Sequence, residues 1–240
     1  MNDTQDFQNF SEVLELFADG ATWKTYFGRH IKPYVGGHVL EVGAGVAGTT
    51  AYVRPENNIT SWTCLEPDGD MARMIEDKKV SGELQKDIGV LICDINGLES
   101  DDRYDSILYI DVLEHIDDDR GEIQIAMQHL APGGRIIIVS PAHNWLYTPF
   151  DKAVGHFRRY NKQSLRRAIP EGLKEERVFY LDSVGLLASL ANRLFLKQSM
   201  PTKGQLNIWD NFLVPMSKIA DPLLGYFIGK QIVGIWHIRD

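Results

Sequence analysis

Compact apolar runs alternate with amphipathic stretches from residue 38 to residue 140. Residues 38–42, 61–66, 87–93, 104–110 and 135–140 are short runs rich in β-branched and aromatic side chains, and each predicts a buried strand. Between them, residues 69–79 and 121–130 have helical spacing. Asp68 is the expected N-cap of the first of these helices, and Asp119 with Glu122 forms the expected capping box of the second. Alternation of this kind predicts βαβ units, a parallel sheet and right-handed crossovers. Further on, residues 161–168 read as a helix, 175–181 as a strand and 231–238 as a last strand. Apolar helices are predicted over 182–197 and over 206–227, the latter containing Pro215 and Pro222.

The ends of this pattern differ from its middle. Phe7, Phe10, Val13, Leu14 and Phe17 recur at helical spacing over 7–17, and an aromatic and basic helix follows over 23–31. That second helix either folds over a ligand or packs on the sheet. Residues 141–160 form a long polar-aromatic loop, a length that in a compact domain signals function or disorder, and the aromatic content speaks against disorder. The insertion before the last strand carries Trp209, Phe212, Leu213, Leu223, Leu224, Tyr226 and Phe227. It reads as a cap, a dimer face or a membrane-surface patch, and its sparse Lys and Arg favour the first two.

Candidate chemistry begins where the first strand breaks into Gly43-Ala44-Gly45-Val46-Ala47-Gly48. Glycines between a strand and a helix let a ligand approach the backbone with no Cβ in the way. Gly43-x-Gly45-x-x-Gly48, with Glu66 downstream, fits a dinucleotide fingerprint. Glu41 opposes that reading, because an acid at the strand end repels a pyrophosphate and suits a cationic ligand. The ends of the first four strands carry Glu41, Glu66, Asp94 and Asp111, a row of acids along the rim where open α/β sheets bind ligands.

Glu41-x-Gly43-x-Gly45 resembles the first motif of class I S-adenosylmethionine (SAM) methyltransferases, with Ala47 where that family often has its third glycine. Leu113-Glu114-His115-Ile116 is similar to a sequence in small-molecule members of the group, as is Gly155-His156-Phe157-Arg158-Arg159-Tyr160 to a segment of bacterial ones. The resemblance implies a Rossmann-like doubly wound α/β sheet of seven strands, six parallel and one antiparallel, with N-terminal helices and a helical insertion before the last strand. Within one domain spanning 1–240, it implies a helical lid (1–36), a cofactor core (37–182), a helical cap (183–230) and a last strand (231–240). It also implies SAM as cofactor. Gly43, Ala44 and Gly45 would admit it, Glu41 would reach its amino group, and Glu66 beside Pro67 would take the ribose hydroxyls. Asp94 would receive the adenine amino group while Ile95 packs on the ring. Asp111 and Val112 would lie by the methionine moiety, with His115 on the adenosine side.

Methyl transfer requires an acceptor electron pair held in line, and positioning alone supplies ~7–11 kcal/mol. If a proton must leave, His143 and His156 in the long loop are the candidate bases, since imidazole suits proton transfer near neutrality. Asn144, Tyr147 and Tyr180 are expected to line the acceptor side. Arg158 or Arg159 either clamps an acidic group or forms a structural salt bridge.

The formal net charge of −8 argues against non-specific nucleic-acid binding. Cys64 and Cys93 lie in or at the end of expected strands and read as small buried hydrophobes, not a disulfide or metal pair. No metal-ligand set is read from the sequence. The polar, acidic start from Met1 to Asp6 predicts no secretory signal, and no apolar run approaches a bilayer span. The expected protein is a cytoplasmic monomer or homodimer, methylating O or N of a small molecule. Three rivals remain: cyclisation of SAM itself to azetidine-2-carboxylate and methylthioadenosine, a binding or regulatory module that retains SAM without chemistry, and an NAD(P)-binding oxidoreductase.

Overall fold

The computed structural model describes residues 20–191, 193 and 202–238. Seven apolar runs become strands: β1 (Gly37–Val42), β2 (Ile59–Leu65), β3 (Ile88–Leu91), β4 (Tyr104–Ile110), β5 (Leu130–Pro141), β6 (Leu173–Leu181) and β7 (Gln231–Ile238). They lie in one sheet in the order β3-β2-β1-β4-β5-β7-β6. β7 is antiparallel to both its neighbours, and the other six strands run parallel. The chain winds outward from β1 in one direction, then returns to β4 and winds the other way. The switch point therefore falls between the carboxyl ends of β1 and β4, where such sheets open a crevice.

The helices are α1 (Ala21–Ile31), α2 (Thr50–Val53), α3 (Gly69–Ser81), α4 (Asp119–Gln128), α5 (Pro149–Ala153), α6 (Lys162–Ala168), α7 (Ser183–Ala191), α8 (Lys203–Ile208) and α9 (Val214–Leu223), with a π-helical turn at Trp209–Leu213. Successive strand residues face opposite ways, so the sheet feeds two apolar layers. Val39, Trp62, Leu108 and Ile137 meet Trp23, Phe27 and Ile31 of α1 and Ile75 of α3 on one side. Leu40, Leu65, Ile107 and Ile136 meet Ile123 of α4 and Leu165 of α6 on the other.

Asp68 caps α3 as its position predicts, accepting from the amides of Asp70 and Met71 at 2.9 Å each. The cap of α4 differs. Asp118, not Asp119, accepts from Gly121 N (2.9 Å), because Asp119 is taken by the Tyr160 hydroxyl (2.7 Å) and Arg158, while Glu122 accepts from the Tyr109 hydroxyl. The helix expected over 206–227 is divided: the π turn interrupts it, and Pro215 stands in the first turn of α9, where a missing N–H costs little. The helix expected over 7–17, and the part of the 182–197 helix beyond Ala191 apart from Arg193, lie outside the described residues. No helix among the described residues is long and apolar enough to cross a membrane.

Candidate functional site

A cleft of about 1560 Å³ opens at the switch point. Its floor is the glycine turn after β1 and the turn after β4. One wall is the loop after β5, and the roof is formed by α1, α7, α8 and the π turn, through residues such as Trp23, Ala188, Leu206 and Trp209. Gly43 (φ +62°) and Gly45 (φ +56°) adopt the left-handed backbone that glycine tolerates. A Cβ on Gly43 would lie 2.8 Å from both methyls of Val112, so β1 and β4 close on each other there. A Cβ on Gly45 would meet nothing within 4 Å, so it would project into open space.

The acids of the rim divide by what they touch. Glu66 at the end of β2 holds the turn: Oε2 accepts from Gly45 N (2.7 Å) and Oε1 from Asp68 N (2.9 Å). Burial raises its pKa, and the two backbone donors partly offset that rise. Glu41 lines the cleft but is only 2 % exposed. The hydroxyls of Thr49 (3.1 Å) and Thr50 (2.7 Å) and the Trp62 indole (3.0 Å) all donate to it, so its acceptors serve its own chain first. Desolvation raises its pKa despite these donors. Asp94 is exposed and caps a 3₁₀ turn through Asn96 N, and Ile95 is core; neither lines the cleft. Asp111 has φ +53° and accepts from the Gln231 amide at 3.0 Å.

The loop after β5 is compact. Tyr160 is buried, forms a bridge with Ala142 and donates its hydroxyl to Asp119. Thr148 and Asp151 form the capping box of α5. Asp151, fully buried, also accepts from Arg159 Nε (2.7 Å) and Nη2 (3.0 Å) and from His156 Nδ1 (2.9 Å). Burial would raise the Asp151 pKa, but the bonds from His156 and Arg159 outweigh it and hold the carboxyl well below the usual range. A carboxylate only accepts, so Nδ1 of His156 carries a proton and donates it to Asp151, which fixes the ring with Nε2 on the opposite edge.

Nε2 of His156 faces Glu114, whose Oε1 lies 4.0 Å away. Glu114 is fully buried; its Oε2 accepts from the Ser140 hydroxyl (2.6 Å), while Oε1 has no hydrogen-bond partner. Burial, and then the neighbouring Asp111, push the Glu114 carboxyl well above the ordinary value. His115 stacks edge-on to His156 at 4.6 Å, and burial lowers its pKa to about 4. Lys230 lines the same end of the cleft and lies 4.6 Å from the Trp209 ring centroid; burial lowers its pKa.

Of the residues expected to do chemistry, His156 and Arg159 reach the cleft. His143 lies between Trp145 and Tyr180, stacked on both, and the Tyr180 hydroxyl accepts from Lys162 N. Tyr147 donates to the His156 carbonyl (2.6 Å), and Asn144 accepts from Arg159 N (3.4 Å). None of these four lines the cleft; they brace the loop that does. Both arginines are salt-bridged within the chain, Arg158 to Asp117 and Asp119 and Arg159 to Asp151. Sequence reading missed Asp151, Lys230 and Gln231, and read Glu114 only as part of a motif. The one available signal for Glu114 was its position beside His115 after a strand.

A family model described as a methyltransferase domain matches residues 13–172, more than half of the chain. No curated protein matches it. Among solved structures, the chain is similar to the one complexed with the Trm112 methyltransferase activator of Haloferax volcanii (14% identity, TM-score 0.65, all of both chains covered). It is similar to a SAM-dependent methyltransferase from Clostridium acetobutylicum (12% identity, TM-score 0.59, 98% of this chain and 99% of that one). The [4+2]-cyclase SpnF also shares the fold (16% identity, TM-score 0.59, 91% and 80%).

Proposed function

As a chain that belongs to the methyltransferase-domain family, the protein is a SAM-dependent enzyme, and we propose that it methylates an oxygen or nitrogen of a small molecule held between the glycine turn and His156. The residues fit the cofactor. The rim carries carboxylates at Glu66 and Asp111, and the Gly45 turn leaves room for a ligand against the backbone. This environment suits a cationic nucleoside and disfavours a pyrophosphate, so the nicotinamide reading is set aside. SAM, when bound, supplies a methyl group on a cationic sulfur.

Gly43, Ala44, Gly45, Glu66, Pro67, Val112 and His115 are the residues that would hold it, with Asp111 at the amino-acid end. Asp94 and Ile95 are not carried into this set, because they stand off the cleft wall. Glu41 is assigned to shaping the turn through Thr49 and Thr50. Asp151 orients His156, which lines the cleft with Nε2 toward Glu114, and in its neutral form Nε2 can receive the proton an oxygen or nitrogen acceptor must lose. The helices over the cleft exclude water, and we assign the 183–230 insertion to that capping role.

The observation that carries the reading is the size of the cleft. At about 1560 Å³ it exceeds the roughly 300–1,000 Å³ of a single-ligand pocket. That volume leaves space beside the cofactor for an acceptor, which supports transfer over cyclisation of SAM itself. The test is product analysis. SAM alone should yield no methylthioadenosine, and a panel of hydroxyl and amine acceptors should yield S-adenosylhomocysteine. Methylthioadenosine from SAM alone would overturn the reading in favour of cyclisation.

A further inference from the structure

Three donors from two segments converge beside the acceptor side of the cleft. Glu114 and His115 are consecutive in the turn Leu113–His115 after β4. His156 arrives from the loop after β5, carried there by a backbone bond from Phe157 N to Glu114 O (2.8 Å). One ligating atom from each of Glu114, His115 and His156 lies within 4.8 Å of the others. An independent observation points to a missing guest: Glu114 Oε1 is buried, aimed into the cluster and without a hydrogen-bond partner. A buried oxygen left in that state costs more than a satisfied one contributes, so natural structures rarely tolerate it.

We propose that Glu114, His115 and His156 bind a divalent transition-metal cation, which also receives the oxygen of a hydroxyl-bearing acceptor. Two imidazoles and one carboxylate are the donor set of open-sided sites for iron(II), manganese, cobalt or zinc, and disfavour calcium and magnesium, which prefer oxygen. Metal–ligand distances of ~2.1 Å place donors roughly 3–4 Å from one another, so binding draws the three atoms in from their present spacing of up to 4.8 Å. The second shell is already built. Asp151 accepts from His156 Nδ1 and so directs Nε2 inward, and Ser140 anchors the other oxygen of Glu114.

The inference rests on the methyl-transfer reading for its purpose, and it narrows the acceptor to a hydroxyl compound. A cation at this point lowers the pKa of that hydroxyl and holds its oxygen facing the cofactor. The hydroxyl proton leaves to water, the oxygen's electron pair forms the bond to the methyl carbon, and the carbon–sulfur pair stays on sulfur. His156 then acts as a ligand, where the metal-free site would use it as a base.

The test is metal uptake by the full chain after chelator treatment, followed by titration with cobalt(II), manganese(II), zinc(II) and magnesium(II). Calorimetry and the cobalt visible spectrum are the readouts. One equivalent of cobalt or zinc should bind with micromolar or tighter affinity, and magnesium at least tenfold more weakly. Glu114→Gln, which keeps the shape of the side chain, and His115→Asn should each weaken cobalt binding more than tenfold. Absence of uptake at millimolar cation, or uptake unchanged in both variants, overturns the site. SAM affinity measured on the unsubstituted chain and on Glu114→Gln, with and without metal, judges the cofactor reading separately. Bound SAM without metal uptake rejects only the cation; metal uptake without SAM binding rejects only the cofactor assignment.

Discussion

Gly43 and Gly45 share a left-handed backbone, but their surroundings give them different jobs. Gly43→Ala drives a Cβ against Val112 and should destabilise the fold by about 1–3 kcal/mol in urea unfolding. Gly45→Ala meets open space, so its stability cost should stay near the ~1–2 kcal/mol of the strained backbone alone. Its larger effect should be on SAM affinity, which calorimetry should find reduced tenfold or more. Glu66→Ala removes the acceptor of both Gly45 N and Asp68 N, so SAM binding should fall with it; unchanged affinity would remove Glu66 from the cofactor site. Glu41 makes a separate prediction about pH. A carboxyl whose pKa is raised by the fold binds a proton more tightly when folded, so its contribution to stability declines as pH climbs from 4.5 toward the raised value. Glu41→Gln has no such proton to lose. Unfolding free energies between about pH 4 and pH 8 should therefore fall less steeply in the variant than in the parent.

Among the elements, those built from local pattern were legible and those built from distant contact were not. β4 appears over the expected residues, and β7 likewise, because compact apolar runs between polar breaks leave few other choices. β5 starts five residues earlier than its Ile-Ile-Ile-Val run suggests, since Leu130 already pairs with Tyr104 across a bulge. The cap of α4 could not be read locally. Asp118 and Asp119 look alike in sequence, and contacts from Arg158 and from Tyr160, 41 residues away, decide between them. The loop after β5 was recognisable as functional in length, yet which of its side chains face the cleft depends on Asp151, a residue with no motif of its own. Asp151→Ala removes a fully buried carboxylate from the half-buried Arg159 and from His156, and should cost about 3 kcal/mol by urea unfolding.

At the scale of the whole molecule, the helical insertion is fastened to the amino-terminal helix by buried carboxylates. Asp210 accepts from Thr22 N and Trp23 N at the start of α1. Asp221 accepts from the Tyr26 hydroxyl (2.7 Å) and from the amides of Asp182 and Ser183. Sequence pattern showed an apolar insertion but not its address, because these contacts span up to 188 residues. Asp221→Ala leaves three buried donors unsatisfied and should lower stability by at least about 3 kcal/mol, measured by denaturant titration.

Where those two parts meet, the Trp23 and Trp209 rings lie 5.8 Å apart, with the Lys230 ammonium 4.6 Å from the Trp209 centroid. Indole emission responds to nearby charge and to water. The enzyme thus carries an optical gauge on the ceiling of its own reaction chamber. Entry of a sulfonium below, or a shift of the hatch above, becomes a change in colour and brightness that a fluorimeter can follow in real time without any label.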